Sequence, residues 1–176
     1  MSPRVLVAGV GNVFLGDDGF GVEVVTRLAG TPLPDGVTVA DFGIRGVHLA
    51  YELLDGYDAL VLVDAVPRGD VPGTLYVIEP DLDSIRPAGV GGEPVMDAHG
   101  LDPEAVLGLL AALGGRVGRV TVLGCEPADV SERMGLSDPV AGAVDEAVRM
   151  ARRLAGDAAE ASRADVRSGT APGPDK

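Results

Sequence analysis

The chain has 176 residues, 46% hydrophobic but only 3% aromatic and without Trp, which suits one domain with a core of Val, Leu and Ala. Its 14 basic and 27 acidic residues leave a net charge of −13, which disfavours nucleic acids and anionic membranes as partners. A single Cys excludes an internal disulfide and fits a reducing compartment, and the only Lys, Lys176 at the end of the chain, excludes a Walker-type phosphate lysine and a buried Schiff-base lysine.

The first predicted strand is Arg4–Val10. Its apolar run breaks at Asn12, too short for a signal peptide or a membrane span, so the expected location is the cytoplasm. A glycine-punctuated turn, Gly9 to Gly21, leads into a predicted helix over Gly19–Leu28. Further strands are expected at Val37–Phe42, Ala59–Val66, Gly73–Glu79 and Arg119–Cys125. Further helices are expected at Val47–Leu54, Pro103–Leu113 and Pro139–Leu154. The run Ala59-Leu60-Val61-Leu62-Val63-Asp64-Ala65 is apolar almost throughout, as in a central strand covered on both faces. Asp102 before Pro103, and Ser137 or Asp138 before Pro139, carry the signal of an N-cap with proline opening the helix.

This alternation predicts an α/β fold: a single three-layer domain, a mostly parallel five-stranded sheet and helices on both faces. Only Pro67-Arg68-Gly69-Asp70-Val71-Pro72 separates the third strand from the fourth. A parallel crossover needs a dozen or more residues, so the fourth strand is expected to be antiparallel. Asp81 to Ala98 reads as a long surface loop. Residues 1–163 read as the domain, and 164–176 as a polar, disordered tail.

Ligands of such sheets sit beyond the carboxyl ends of the strands, where strand order reverses. Asp17 and Asp18 leave the first strand, Asp41 ends the second and Asp64 ends the third. His99, just before a helix, can reach the same edge. Carboxylates with an imidazole suit a divalent ion such as zinc or nickel. One of the two adjacent acids is expected to cap the following helix, with Asp17 preferred as that cap over a role as base in the substrate loop, and Asp18 as the free one. Asp64, an acid inside an apolar strand, is costly to bury without a partner. Asp41 reads equally as turn former or site residue. His48, the other His, falls on a helix.

Other motifs fail. The dinucleotide fingerprint G-x-G-x-x-G has Gly9 and Gly11 but Phe14 in its third glycine position. H-E-x-x-H and G-x-S-x-G are absent. Cys125 at a strand end reads as a small core residue.

The run Gly-Val-Gly-Asn-x4-Asp-Asp-Gly-x-Gly resembles the start of the nickel–iron hydrogenase maturation proteases. The likeness continues through Asp41-Phe42-Gly43-Ile44-Arg45-Gly46, Leu62-Val63-Asp64-Ala65, His99-Gly100-Leu101, Gly124-x-x-Pro127 and Gly135-Leu136-Ser137, from about Arg4 to Leu154. The resemblance implies an α/β fold with a mixed sheet and an endopeptidase that trims the C-terminus of a hydrogenase large-subunit precursor. It implies Asp18, Asp64 and His99 as metal-contacting catalytic positions, with nickel supplied by the precursor. The second glycine loop departs from the family's Asp-Gly-Gly-Thr, with Phe42 for a glycine and Ile44 for the hydroxyl residue. Arg45 in that loop is a candidate reader of a substrate carboxylate or carbonyl. A non-catalytic metal or precursor chaperone and a nucleotide-binding protein are the alternative readings.

Overall fold

The computed structural model describes residues 2–87 and 102–169. Its five strands are β1 (Val5–Val10), β2 (Val37–Gly43), β3 (Ala59–Ala65), β4 (Leu75–Ile78) and β5 (Arg119–Cys125). Its α-helices are α1 (Phe20–Ala29), α2 (Gly46–Leu53), α3 (Pro103–Ala112), α4 (Asp138–Ala141) and α5 (Val144–Arg167). The strands form one sheet in the order β2-β1-β3-β5-β4. β1, β2, β3 and β5 run parallel, and β4 pairs antiparallel with β5, as the short connection from Val66 requires.

The central strands bury both faces because their side chains alternate between two apolar layers. Leu6, Ala8, Val10, Leu60, Leu62, Val120 and Val122 meet Leu49, Ala50 and Leu53 of α2 and Val106, Leu107 and Leu110 of α3. Val5, Val7, Val61, Val63 and Leu123 meet Phe20, Val24, Val25 and Leu28 of α1 and the inner face of α5. That inner face is small. Ala147, Ala151, Ala155 and Ala159 are at most 1% exposed, so the helix lies close against the sheet, and a larger side chain there costs about 1–3 kcal/mol.

Two expectations about the last helix change. It is broken at Gly142-Ala143, after α4. It also runs through Arg167, beyond the boundary expected at residue 164. Ala155, Ala159 and Ser162 carry its buried stripe onward at four- and three-residue spacing, and Arg119 bonds Asp165 at 3.0 Å. The segment 88–101, which holds most of the expected long loop and His99, lies outside the described residues, as does 170–176. Asp102 caps α3 as expected, accepting from the Glu104 N–H at 3.0 Å.

Successive connections leave β1 toward β2 on one side and return to β3 on the other. The sheet therefore has its topological switch point between β1 and β3. Glycine makes this junction possible: a side chain at Gly21 would collide with the main-chain oxygens of Val63 and Val10, so α1 approaches the β1–β3 pair at backbone distance.

Candidate functional site

Strand register brings the predicted acids to one edge. Gly9 of β1 lies opposite Asp41 of β2 and Val63 of β3, and Asp64 is the next residue of β3. Beyond β1 the chain folds into a short 3-10 turn, Gly16–Gly19, that carries Asp17 and Asp18. Gly11, at φ 134°, lies against the main-chain oxygen of Asp18 with no room for a side chain. The Gly11 N–H donates to the Gly43 carbonyl at 2.9 Å. The loops after β1 and β2 are thus in contact, with Asp18 folded over the first.

Asp18 and Asp64 form a pair. Asp18 accepts from the Asn12 N–H at 2.8 Å, and Asp64 accepts from the Ala65 N–H at 2.8 Å. These are the only hydrogen bonds of the two carboxylates among the described residues, where an ionised carboxylate has about four acceptor sites. Burial raises the Asp18 carboxyl above its ordinary range, against the opposing Asn12 bond. Burial raises Asp64 well above it, and the nearby Asp18 charge adds to that, against the Ala65 bond. Two such acids attract a cation. Oxygen donors in this number suit a divalent ion that brings its remaining ligands with it. Among the described residues no three His, Cys, Asp or Glu side chains come together as a metal site, and the predicted third member, His99, lies outside them.

Asp17 behaves differently from its neighbour, and the expected helix cap is not its role. The N-cap of α1 is Gly19, without a side-chain bond. Asp17 is fully buried and points across to the loop 126–137 that follows β5. Its Oδ2 accepts from the N–H groups of Ala128 at 2.8 Å and Asp129 at 2.9 Å and from the Ser137 hydroxyl at 2.8 Å. Its Oδ1 accepts from the Ser137 N–H at 2.7 Å. Burial pushes its pKa up, but these hydrogen bonds together outweigh burial and hold it below the ordinary value. Ser137 is the N-cap residue of α4, as one reading of the sequence had it, yet its hydroxyl makes no cap bond.

Asp41 forms its own turn: its Oδ1 accepts from the Gly43 N–H at 2.7 Å. Arg45 folds back on the same loop, donating from Nη2 to the Asp41 carbonyl at 2.8 Å and from Nε to the Phe42 carbonyl at 3.3 Å. His48 is exposed on α2. Cys125 is buried and free, its thiol pushed up to about 12 by burial, with the Asp17 and Glu126 charges adding. It is a protonated core residue rather than a nucleophile.

Sequence reasoning missed Glu126. It is only 5% exposed and receives the N–H groups of Arg68 at 2.7 Å and Gly69 at 3.0 Å and the Tyr76 hydroxyl at 2.8 Å. Burial opposes its ionisation, but these bonds prevail and lower its pKa. It fastens the loop leaving β3, just beyond Asp64. The local signal was a lone acid between buried Cys125 and Pro127, which by itself names no partner.

Exposed apolar side chains stand on the loops at the same edge of the sheet. Phe14 is 65%, Ile44 64% and Met134 66% exposed. They come from the loops after β1, β2 and β5, the first and last of which pair through Leu15 and Arg133. Phe14 therefore stands on an outer lip and takes no part in helix–strand packing.

An open α/β sheet with acids at its switch point and no phosphate-cradling glycine loop is set apart from the dinucleotide binders that share its layering. Comparison with known proteins gives the class a name. The hydrogenase maturation protease family model, HycI, matches residues 22–154. The hydrogenase expression/formation protein HupD of Rhodobacter capsulatus is 38% identical over 152 residues, covering 85% of this chain and 70% of that one. HupD of Rhizobium leguminosarum bv. viciae is 34% identical over 155 residues, covering 87% and 74%. Among solved structures, the hydrogenase maturating endopeptidase HybD from E. coli superposes with a TM-score of 0.65 at 25% identity, covering 94% of each chain. A hydrogenase 2 maturation peptidase from Thaumarchaeota archaeon SCGC_AB-539-E09 gives 0.65 at 32% identity, covering 87% and 98%. The chain belongs to the hydrogenase maturation protease family, and its activity is that of a peptidase. Among the described residues no helix is long and apolar enough to cross a membrane.

Proposed function

We propose that this peptidase removes a C-terminal extension from the nickel-loaded large-subunit precursor of a nickel–iron hydrogenase in the cytoplasm, with Asp18 and Asp64 engaging the metal that the precursor carries. The observation that supports this most is the Asp18–Asp64 pair: two acids, each with one N–H donor among the described residues, both raised by burial, with the Asp18 charge adding to the cost of ionising Asp64. A cation held by the incoming substrate relieves that repulsion. The same cation is then the feature by which a loaded precursor is told from an empty one. An empty precursor meets two acids at close quarters and gains nothing from them.

His99 is the third expected contact, entering from the segment before α3. Phe14, Ile44 and Met134 line the approach and would seat the apolar part of the polypeptide around the bond to be cut. Asp41 and Arg45 shape the β2–α2 loop beside it, and Arg45, which gives Nε and Nη2 to its own loop, has further N–H donors to offer a substrate carbonyl.

The test is the intact mass of precursor after incubation with the protein. Loss of a short C-terminal peptide from nickel-loaded but not nickel-free precursor is the expected result. Binding of loaded precursor without any mass change would replace the reading with that of a precursor chaperone.

A further inference from the structure

We infer that Asp17 is a positioning residue for the Asp18–Asp64 pair: its buried carboxylate ties the loop that carries Asp18 to the loop after β5, so the site stands assembled before substrate arrives. The inference rests on the proposed reading of that pair as the place of cleavage, and adds a residue that itself touches no substrate.

Three observations carry it. First, all four hydrogen bonds to Asp17 come from residues 111 to 120 positions away, at 2.7–2.9 Å. A carboxylate so held resists rotation, and its bonds are of the charge-assisted kind. Second, the backbones of the two loops are laced in both directions. Asp17 N–H donates to the Asp129 carbonyl at 2.8 Å, Gly16 N–H to the Arg133 carbonyl at 2.9 Å, and Arg133 N–H to the Phe14 carbonyl at 3.0 Å. Gly16 takes φ 57°, and a side chain there would come within 2.6 Å of the Asp129 carbonyl oxygen. Third, Ser137, the N-cap residue of α4, donates both its N–H and its hydroxyl to Asp17 and makes no side-chain cap bond.

Asp18 is the next residue of the same 3-10 turn. Its carboxylate has a different partner, the Asn12 N–H of the β1 loop, and its charge is felt at Asp64. Asp17 and Asp18 thus act as two arms of one turn, one fixed to the loop after β5 and one presented to the cleft. Loosening the fixed arm turns the presented one. A displacement of about 1 Å at reacting groups costs on the order of a hundredfold in rate.

Asp17→Asn keeps the shape but sets an amide N–H₂ against backbone donors. On nickel-loaded precursor it is expected to lower kcat by roughly 10- to 100-fold while KM stays within about twofold, because binding surfaces are untouched. Ser137→Ala removes one bond of the four and is expected to lower kcat about three- to tenfold, with Ser137→Thr, which keeps the hydroxyl, restoring it. If Asp17→Asn does not fold, the Ser137 pair decides. A readout independent of cleavage is the 13C carboxyl resonances of Asp18 and Asp64 in the free protein. They shift in Ser137→Ala and return in Ser137→Thr if Asp17 positions the pair. Wild-type kcat in Ser137→Ala together with unmoved Asp18 and Asp64 resonances overturns the inference. Failure of the unaltered protein to cut loaded precursor overturns the cleavage reading instead, and the resonances then decide the positioning role alone.

Discussion

Two pairs of acids stand at the carboxyl end of this sheet and are treated in opposite ways. Asp17 and Glu126 are buried, are each met by several hydrogen-bond donors, and have lowered pKa values. Among the described residues the Asp18 and Asp64 carboxylates take one bond each, and their pKa values are raised. The first pair stabilises: a satisfied buried carboxylate locks one loop to another. The second pair is strained by its own charge, as expected of groups kept for an incoming ligand. The contrast is sharpest at Asp17 and Asp18, adjacent in sequence and opposite in environment.

The largest effect should come from the strained pair. Asp64→Asn and Asp18→Asn are each expected to abolish precursor cleavage, by about a thousandfold or more in kcat, with the intact mass of loaded precursor as readout. If either variant cuts at near wild-type rate, the pair is not the site.

The satisfied pair should show its effect in stability. Asp17→Ala leaves the Ala128, Asp129 and Ser137 N–H groups unpaired and is expected to cost roughly 3 kcal/mol in denaturant unfolding. Glu126→Ala should also destabilise, by releasing the loop after β3 beside Asp64. A loss within experimental error at Asp17 would place its bonds among those that solvent replaces without cost.

A subtler difference lies in pH. The folded pKa of Asp64 lies above the ordinary 3.8. Its ionised form therefore weakens the fold at neutral pH, and the deficit disappears as pH falls through the folded pKa toward 3.8. Asp17 has the opposite sign: its contribution is present above about 3.8 and is lost as pH falls through its lowered folded pKa. The stability gap between Asp64→Asn and wild type should therefore narrow on mild acidification. The gap between wild type and Asp17→Ala should persist until pH falls below the ordinary carboxylate range. Thermal melts across pH 3–7 check both trends, and parallel curves would contradict the assignment of opposite shifts.

The smallest effect is expected at Arg45, whose guanidinium is exposed and bonded to its own loop. Arg45→Ala should change stability by less than about 1 kcal/mol and leave kcat nearly unchanged. A large rise in KM would give Arg45 the substrate contact that its folded-back position leaves undone.

Most of the fold could be read locally. The apolar run through Leu62 and Val63, the short Pro67–Pro72 connection and the Asp102-Pro103 cap each announce their structure within a few residues. Asp64 was legible for the same reason, as an acid where an apolar residue belongs. The sequence led to the expectation that one of Asp17 and Asp18 caps the following helix, whereas Asp17 is tied to the loop after β5. The partners of Asp17 lie more than a hundred residues on, and nothing nearby distinguishes a cap from a cross-loop tie. Glu126 was hidden in the same way, because its donors are two backbone N–H groups and a Tyr from the β3–β4 region. The end of α5 was misplaced although its signal was present. Ala155, Ala159 and Ser162 continue the buried stripe, but the surrounding Arg, Asp and Ser made the segment look like tail.

The most direct test of this division of labour is a thermal melt at neutral pH of Asp64→Asn and Asp17→Asn beside the unaltered protein. Asp17→Asn is expected to melt lower, while Asp64→Asn, relieved of a desolvated charge near that of Asp18, is expected to melt at the same temperature or higher. An Asp64→Asn protein that melts as far below wild type as Asp17→Asn would show that Asp64 serves the fold, and would contradict that division.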